Sequence, residues 1–415
     1  MNQNSLIENP DALVLFIDMN SFFASCEQQV NYWLRNRPVG VCVYTGKYGC
    51  IIAPSVEAKR KGVKTGMRLD EAIKICPELV PLETNPTRYR EYHVKIIQIL
   101  KKYSDDVIPK SIDEAIVNLT AYKLIYKNPT LLAHTIKREI KEQVGDWLRC
   151  SIGIAPNALL AKLASNLKKP DGLVVIDQYN IDDVLSKLQL TDLPGINKGI
   201  ACRLQKSGIM TPLEIRHSTP EKLRLACNSI VGVYWYKRLN FAEVDIMSNP
   251  YKSMQSMRQI SAELRKNPKN IQQLFITLCM TLERRLVAQK VLSCTIGVHV
   301  QYESGYFYKD QVYTDRGLQD GMEIYKALSG RMDKRKKNII NTNVRSLGVH
   351  VSHFIPQEAV QLHLFENTLR KDTLRKVVYD IKDKFGSTII QKAAELSETY
   401  ILKDAIGFGS VKDLA

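Results

Sequence analysis

The chain opens with a short apolar run, LVLFI at 13–17, that closes on an acid, and this pattern predicts a buried strand over 13–18. Residues 21–30 then read as a helix with Ser21 as its N-cap. Short apolar runs over 39–44 and 50–53 predict two strands around the turn TGKYG at 45–49. Helical spacing follows over 54–61, 69–76 and 86–103, the last of these with an amphipathic pattern. Strands over 106–109 and 112–119 form a hairpin around Lys110 and Ser111. A helix over 130–144, a strand over 149–154 and a helix over 157–167 complete the run. Alternating strands and helices make 13–176 an α/β unit with helices packed on a sheet.

The pattern changes at 177–245, which is mostly helical and contains a Pro-Gly turn in DLPGINKG at 192–199. Residues 246–253, IMSNPYKS, are polar and read as a linker. Over 254–354 the order is strand, helix, strand, strand, helix, strand, in segments 254–264, 268–290, 293–302, 306–312, 318–333 and 343–354. This predicts a small βαββαβ sheet with two helices on one face. The tail, 355–415, carries QLHLF at 361–365 and a helix over 368–385. At 415 residues the chain exceeds one core, so the expected fold class is a multidomain combination of α/β and α+β parts.

Composition adds a partner class. Lys and Arg number 59 against 43 Asp and Glu, a formal charge of +16. Such an excess favours a polyanion, nucleic acid above all, over a generically basic cytosolic protein. Nine scattered cysteines include no CxxC pair, which argues against a zinc ribbon or a thioredoxin-like site and fits reduced thiols in a cytoplasm. LVLFI is far too short to cross a membrane, and no membrane partner is expected. His93, His134, His217, His299 and His363 are isolated, and His350 and His353 near a strand end read as surface or packing residues.

The acids carry the candidate chemistry. Asp18 ends the first strand, and Asp113 and Glu114 are adjacent at the hairpin corner. Neighbours in a regular strand point to opposite faces, but a corner relaxes that rule. Three gathered carboxylates repel one another unless cations lie between them. Oxygen ligands favour Mg²⁺ or Mn²⁺ over zinc. Two such ions, roughly 3.5–4 Å apart, serve phosphoryl transfer by activating the attacking oxygen and stabilising the leaving one. The alternative is three solvated strand-end residues, and spacing alone leaves both readings open.

FIDMNSFFASCE at 16–27, GCIIAPSVEAKRKGVKTG at 49–66, SIDEA at 111–115 and GIAPNALLAKLASNLKKPDG at 153–172 resemble, in that order, the motifs of Y-family DNA polymerases. The resemblance runs from 13 to 365. It implies a right-hand polymerase: a palm from 1–30 and 80–176, short fingers at 31–79, and a helical thumb with a helix-hairpin-helix at 177–245. A linker at 246–253, a little finger at 254–354 and a tail at 355–415 with a clamp-binding motif would complete it. The implied activity is template-directed, low-fidelity translesion synthesis. The rivals are a catalytically silent clamp- and DNA-binding relative, and another two-metal palm enzyme such as a cyclase or nuclease.

The resemblance also implies roles. Asp18, Asp113 and Glu114 would be catalytic and would hold two Mg²⁺ ions, or Mn²⁺ in their stead, with the Met19 carbonyl as a backbone ligand. Phe23 would be the steric gate, its flat ring leaving no room at C2′ for a hydroxyl, with Phe22 beside it as core. Lys169 would lie near the dNTP triphosphate and Ile52 would roof the new base pair. Val56 and Lys59 stand where the polymerase IV branch has a tyrosine and an arginine; lysine keeps the charge but loses the bidentate fork. This segment and ASCE lean toward the catalytic subunit of polymerase V, which would bring accessory subunits. Gly195, Asn197, Lys198 and Gly199 would contact the phosphates of primer-template DNA. The basic run at 334–337 is either a further phosphate contact or a solvated loop. Gln361, Leu362, Leu364 and Phe365 resemble the pentapeptide that docks on the bacterial sliding clamp, a tether that raises effective concentration.

Overall fold

The computed structural model describes residues 8–46, 49–246, 252–334, 339–359, 368–386, 389–390 and 392. They fall into two compact units that divide near Ser248. The pentapeptide at 361–365 and most of the basic run at 334–337 lie outside the described residues.

The first unit contains strands β1 (Val14–Met19), β2 (Val39–Cys42), β3 (Ile51–Pro54), β4 (Val80–Glu83), β5 (Val107–Pro109), β6 (Glu114–Asn118), β7 (Cys150–Ala155) and β8 (Leu173–Val175). Five of them form a sheet in the order β5-β6-β1-β7-β8, and three form a second sheet, β3-β2-β4. β1 is central and pairs antiparallel with both β6 and β7. Its side chains serve two cores, as alternation requires. Leu15, Ile17 and Met19 pack with Phe22, Tyr89, Ile96 and Ile136, whereas Val14 and Phe16 pack with Leu160, Leu163 and the helical segment that follows. That segment, from Ile181 to Leu239, is a set of short helices around Leu204, Leu223 and Trp235.

Helix starts follow a repeated local rule. Asn85, Asn128, Thr211, Thr219 and Asn267 each precede a proline at the first helical position, and each side chain accepts a hydrogen bond from a backbone N–H of the first turn. Proline fixes φ where its missing N–H costs nothing, and the cap satisfies an orphan donor. Ser21 departs from the expectation: it sits in the left-handed region at φ 48° and its side chain caps nothing. Strands β4 and β8 were not expected. The first contains Pro81 and each has at most four residues, too few for alternation to register.

The second unit holds β9 (Ser253–Gln259), β10 (Val291–Tyr302), β11 (Phe307–Leu318) and β12 (Val344–Pro356), ordered β11-β10-β12-β9 and all antiparallel. Helices Pro268–Ala288 and Gly321–Lys334 pack against one face around Phe275, Leu278, Ile324 and Leu328. The first strand stops at Gln259, short of the expected 264, because Ser261 caps a brief helix at Ala262–Arg265. The expected tail helix is present as Thr368–Phe385. It is tied down by charge. Glu283, only 2 % exposed, lies with Asp320 between Lys392 Nζ, at 3.0 and 3.1 Å, and Arg375.

Candidate active site

Register puts two of the acids opposite each other. Asp18 near the end of β1 pairs with Glu114 at the start of β6, and the Met19 N–H donates to the Asp113 carbonyl at 2.9 Å. Asp113 therefore stands in the turn before the strand, outside the ladder, where it escapes the period of two. The Lys110 and Ser111 N–H groups both donate to the Glu114 carbonyl and close that turn. The hydroxyl of Ser111 donates to the Asp113 carboxylate.

These side chains form one wall of a cavity of about 670 Å³. Asp18, Met19, Ser111, Asp113, Glu114 and Lys169 line it, and so do Phe22, Phe23, Ile52, Val56 and Lys59. The three acids share the wall but do not converge on one point. Among the described residues no three Asp, Glu, His or Cys side chains are grouped closely enough to hold a metal as they stand. Each acid has turned to a partner of its own. Lys169 Nζ lies 2.6 Å from Asp18, and Lys162 Nζ lies 2.8 and 2.9 Å from the two oxygens of Glu114.

The electrostatics mark a wall where burial penalises charge. Burial raises the Asp18 carboxyl above its ordinary value; Lys169 pulls it back and the other two acids push it further up. Asp113 is raised by burial as well, with Ser111 opposing and Glu114 adding to the effect. Lys59 reaches water at the mouth, yet the wall around it and the neighbouring Lys169 lower its pKa. The donor set, three carboxylates and the Met19 carbonyl, is all oxygen and suits a hard divalent cation.

Several residues that sequence reasoning did not single out hold this wall in shape. Asn20 accepts the Asp171 N–H at 2.6 Å and donates to Ser151, which anchors the loop carrying Lys169 beside β1. Phe23 stacks on Tyr89 with ring centroids 4.4 Å apart, and the Tyr89 hydroxyl donates to Glu27 at 2.9 Å. Arg88 pairs with the same carboxylate. The available signal for Glu27 was its place four residues after Phe23, on the same face of the helix. The Ser21 hydroxyl lines the cavity, buried and with no hydrogen-bond partner among the described residues. Gly195, Asn197, Lys198 and Gly199 lie elsewhere, on an exposed turn. Gly195 has φ +100°, and Asn197 caps helix Lys198–Lys206 by accepting the Ile200 N–H.

Fold and site together define a class, a nucleotidyltransferase of the hand-shaped polymerase kind. Residues 17–166 match the impB/mucB/samB family and 251–364 match that family's C-terminal domain. The chain is 28 % identical over 402 residues to DNA polymerase IV of Pelotomaculum thermopropionicum, covering 95 % of this chain and 98 % of that one. It is 28 % identical over 394 residues to DNA polymerase IV of Bacillus anthracis, covering 92 % and 93 %. A solved Y-family DNA polymerase chimera of Dbh and Dpo4 superposes with a TM-score of 0.69 at 25 % identity, over 83 % of this chain and 99 % of that one. An insertion ternary complex of Dbh DNA polymerase gives 0.58, also at 25 % identity, with the same shares of each chain covered. The chain belongs to the Y-family DNA polymerases. The relatives named here carry the polymerase IV name, so the leaning of the finger segment toward polymerase V gains nothing from them.

Proposed function

We propose that Asp18, Asp113 and Glu114, with the Met19 carbonyl, hold two Mg²⁺ ions and that the cavity beside them receives the dNTP paired to a template base. The protein is a DNA-directed DNA polymerase of the translesion type, and the family depends on divalent metal ions. The observation that carries the site assignment is the crowding of three acids, two with raised pKa, along one wall of the cavity. When bound, the ions supply charge compensation for the attacking and departing oxygens. The chain's own residues do the rest. Lys59 and Lys169 offset the charge of the triphosphate. The unpartnered Ser21 hydroxyl offers it a hydrogen bond. Phe23, backed by Tyr89, presents a fixed flat face to the sugar, and a 2′-hydroxyl would collide with it. Ile52 and Val56 make a modest apolar roof over the base, which checks pair shape weakly.

The same reading divides the chain into a palm (1–30 and 80–176), fingers (31–79), thumb (177–245), linker (246–253), little finger (254–354) and tail (355–415). The spans of the two sheets in the first unit and the helical run that follows them support this division. The exposed turn at Gly195–Gly199 would grip backbone phosphate. Gln361, Leu362, Leu364 and Phe365 would dock on the sliding clamp, and accessory subunits of the polymerase V kind remain part of the proposal. Primer extension tests the site directly. Asp113→Ala and Glu114→Ala abolish extension and leave duplex binding intact; extension by either variant rejects the metal assignment.

A further inference from the structure

The tetrapeptide GVHV occurs twice, at 297–300 in β10 and at 348–351 in β12. These strands are antiparallel neighbours, and their register sets Gly297 against His350 and His299 against Gly348. Each imidazole lies over the glycine of the other strand. A Cβ on Gly297 would meet His350 Cε1 at 2.2 Å, and one on Gly348 would meet His299 Nε2 at 2.1 Å. The missing side chains are what let the rings lie down on the sheet. Their centroids are 6.4 Å apart with planes at 32°. His353, three residues along at φ +56°, reaches the neighbouring strand, its Nδ1 3.0 Å from the Thr295 hydroxyl. Two of the chain's seven histidines, His299 and His350, thus share one patch.

The patch belongs to the sheet face that the two helices leave open. Ile296, Val298, Leu347 and Val349 point to the helices, so His299 and His350 point away from them. β9 contributes Gln255 and Met257, whose amide nitrogen and sulfur lie 3.4 and 3.3 Å from His299 Nε2. β11 contributes Lys309, directly opposite His299. Within 253–259, 295–301, 307–313 and 346–353 the one carboxylate is Asp310, and Arg331 holds it at 2.9 Å on the covered side. Arg285, from the helix beneath, donates to the Gln255 carbonyl at the sheet edge. Asp315, exposed further along β11, is the next carboxylate on that strand, so the stretch about His299 and His350, with one lysine and two tilted imidazoles, is the part suited to an anion once the rings carry protons.

We propose that His299 and His350 form a proton-gated phosphate subsite, by which the second unit grips the nucleic-acid backbone more tightly as pH falls below neutrality. This rests on the DNA-polymerase reading. Burial lowers the pKa of both His299 and His350; His350 and Lys309 lower His299 further, and Lys309 lowers His350. Both are therefore neutral at pH 8, and a phosphate that draws them into the charged form is bound more tightly as protons become available. Fluorescence anisotropy of a labelled primer-template duplex with the full chain, in EDTA at constant ionic strength, reads this out at pH 8.0 and 6.0. The wild type gains about tenfold in affinity at the lower pH beyond the gain of His299→Gln/His350→Gln, and its salt slope steepens by about one per imidazolium engaged. His350→Gln alone shows part of the loss and guards against misfolding of the double variant. Equal pH dependence in wild type and both variants overturns the subsite and leaves the polymerase reading standing. Absence of duplex binding by the wild type at pH 8.0, with no primer extension, overturns both.

Discussion

Asp113→Asn separates the catalytic value of the acid wall from its cost to the fold. The substitution keeps an oxygen to accept the Ser111 hydroxyl and removes one negative charge. Asp18 and Glu114 are cross-strand partners with backbones about 5 Å apart, and Asp113 is their neighbour. For carboxylates held about 7 Å apart, an effective dielectric near 20 gives a repulsion of about 2 kcal/mol per pair. Lys169 and Lys162 answer Asp18 and Glu114, which leaves about 1–2 kcal/mol to be gained by neutralising Asp113. For a unit of this size that corresponds to roughly 3–6 °C in Tm. Calorimetry in EDTA at pH 7.5 should therefore find the variant more stable than the wild type, although it extends no primer. The Asp113 carboxyl is raised in the folded state, so its proton stabilises the fold at acid pH and that stabilisation is lost as pH rises through the folded pKa. The gap between variant and wild type should accordingly close on acidification to the ordinary carboxylate range. Millimolar Mg²⁺ should raise the wild type and not the variant, since only an intact site gains from binding. A variant less stable than the wild type in EDTA, or an equal response of both to Mg²⁺, would refute the reasoning.

Three further outcomes are expected. Phe23→Ala removes the ring that stacks on Tyr89 and should raise ribonucleotide incorporation at least tenfold relative to dNTP; an unchanged ratio of kcat/KM values takes Phe23 out of the gate role. Arg375→Ala/Lys392→Ala leaves the buried Glu283 without these two cations, at a cost of about 3 kcal/mol, and should speed chymotryptic cutting within 368–392. Burial pushes the Asp320 carboxyl up but Lys392 and Arg375 bring it below its usual range, so this attachment should also weaken as pH falls through the carboxylate range; cutting rates that ignore both perturbations would dismiss it. Leu364→Ala/Phe365→Ala should abolish stimulation of synthesis by the sliding clamp while basal extension continues, and surviving stimulation would make the pentapeptide incidental.

What the chain discloses depends on the range over which the physics acts. β1, the hairpin acids and the helix at 368–385 were readable because an unbroken apolar run, a turn and helical spacing are local. The role of Glu27 was not: its partners, Arg88 and Tyr89, are some sixty positions away, and nothing near it in the chain announces them. The paired GVHV segments were visible as letters, yet the register that lays each histidine over a glycine exists only once β10 meets β12. Lys162 read as one more basic residue of a helix, and only the fold aims it at Glu114. The ion pairs that hold the acids apart were hidden for a related reason. Spacing can bring carboxylates to one corner, but it does not say which lysines will answer them.

Those lysines tie the site to a single close approach. Lys162 lies on helix Ala158–Leu167 and Lys169 in the loop just after it, so one helix delivers both counter-charges to the acid wall. Its distance from the sheet is set at Gly153 in β7, where a Cβ would stand 1.9 Å from the Ala161 carbonyl oxygen and 2.4 Å from the Ser165 nitrogen. Both contacts are backbone and cannot yield by turning a side chain. Any residue but glycine would lift the helix and draw Lys162 and Lys169 away from Glu114 and Asp18 together. The three acids would then face one another with less positive charge nearby, where burial already holds two of them above their ordinary pKa. The glycine at the foot of GIAPNALLAKLASNLKKPDG thus serves the chemistry from the same face of the sheet, further along the strands, by fixing how near two cations come to the residues proposed to hold the metals.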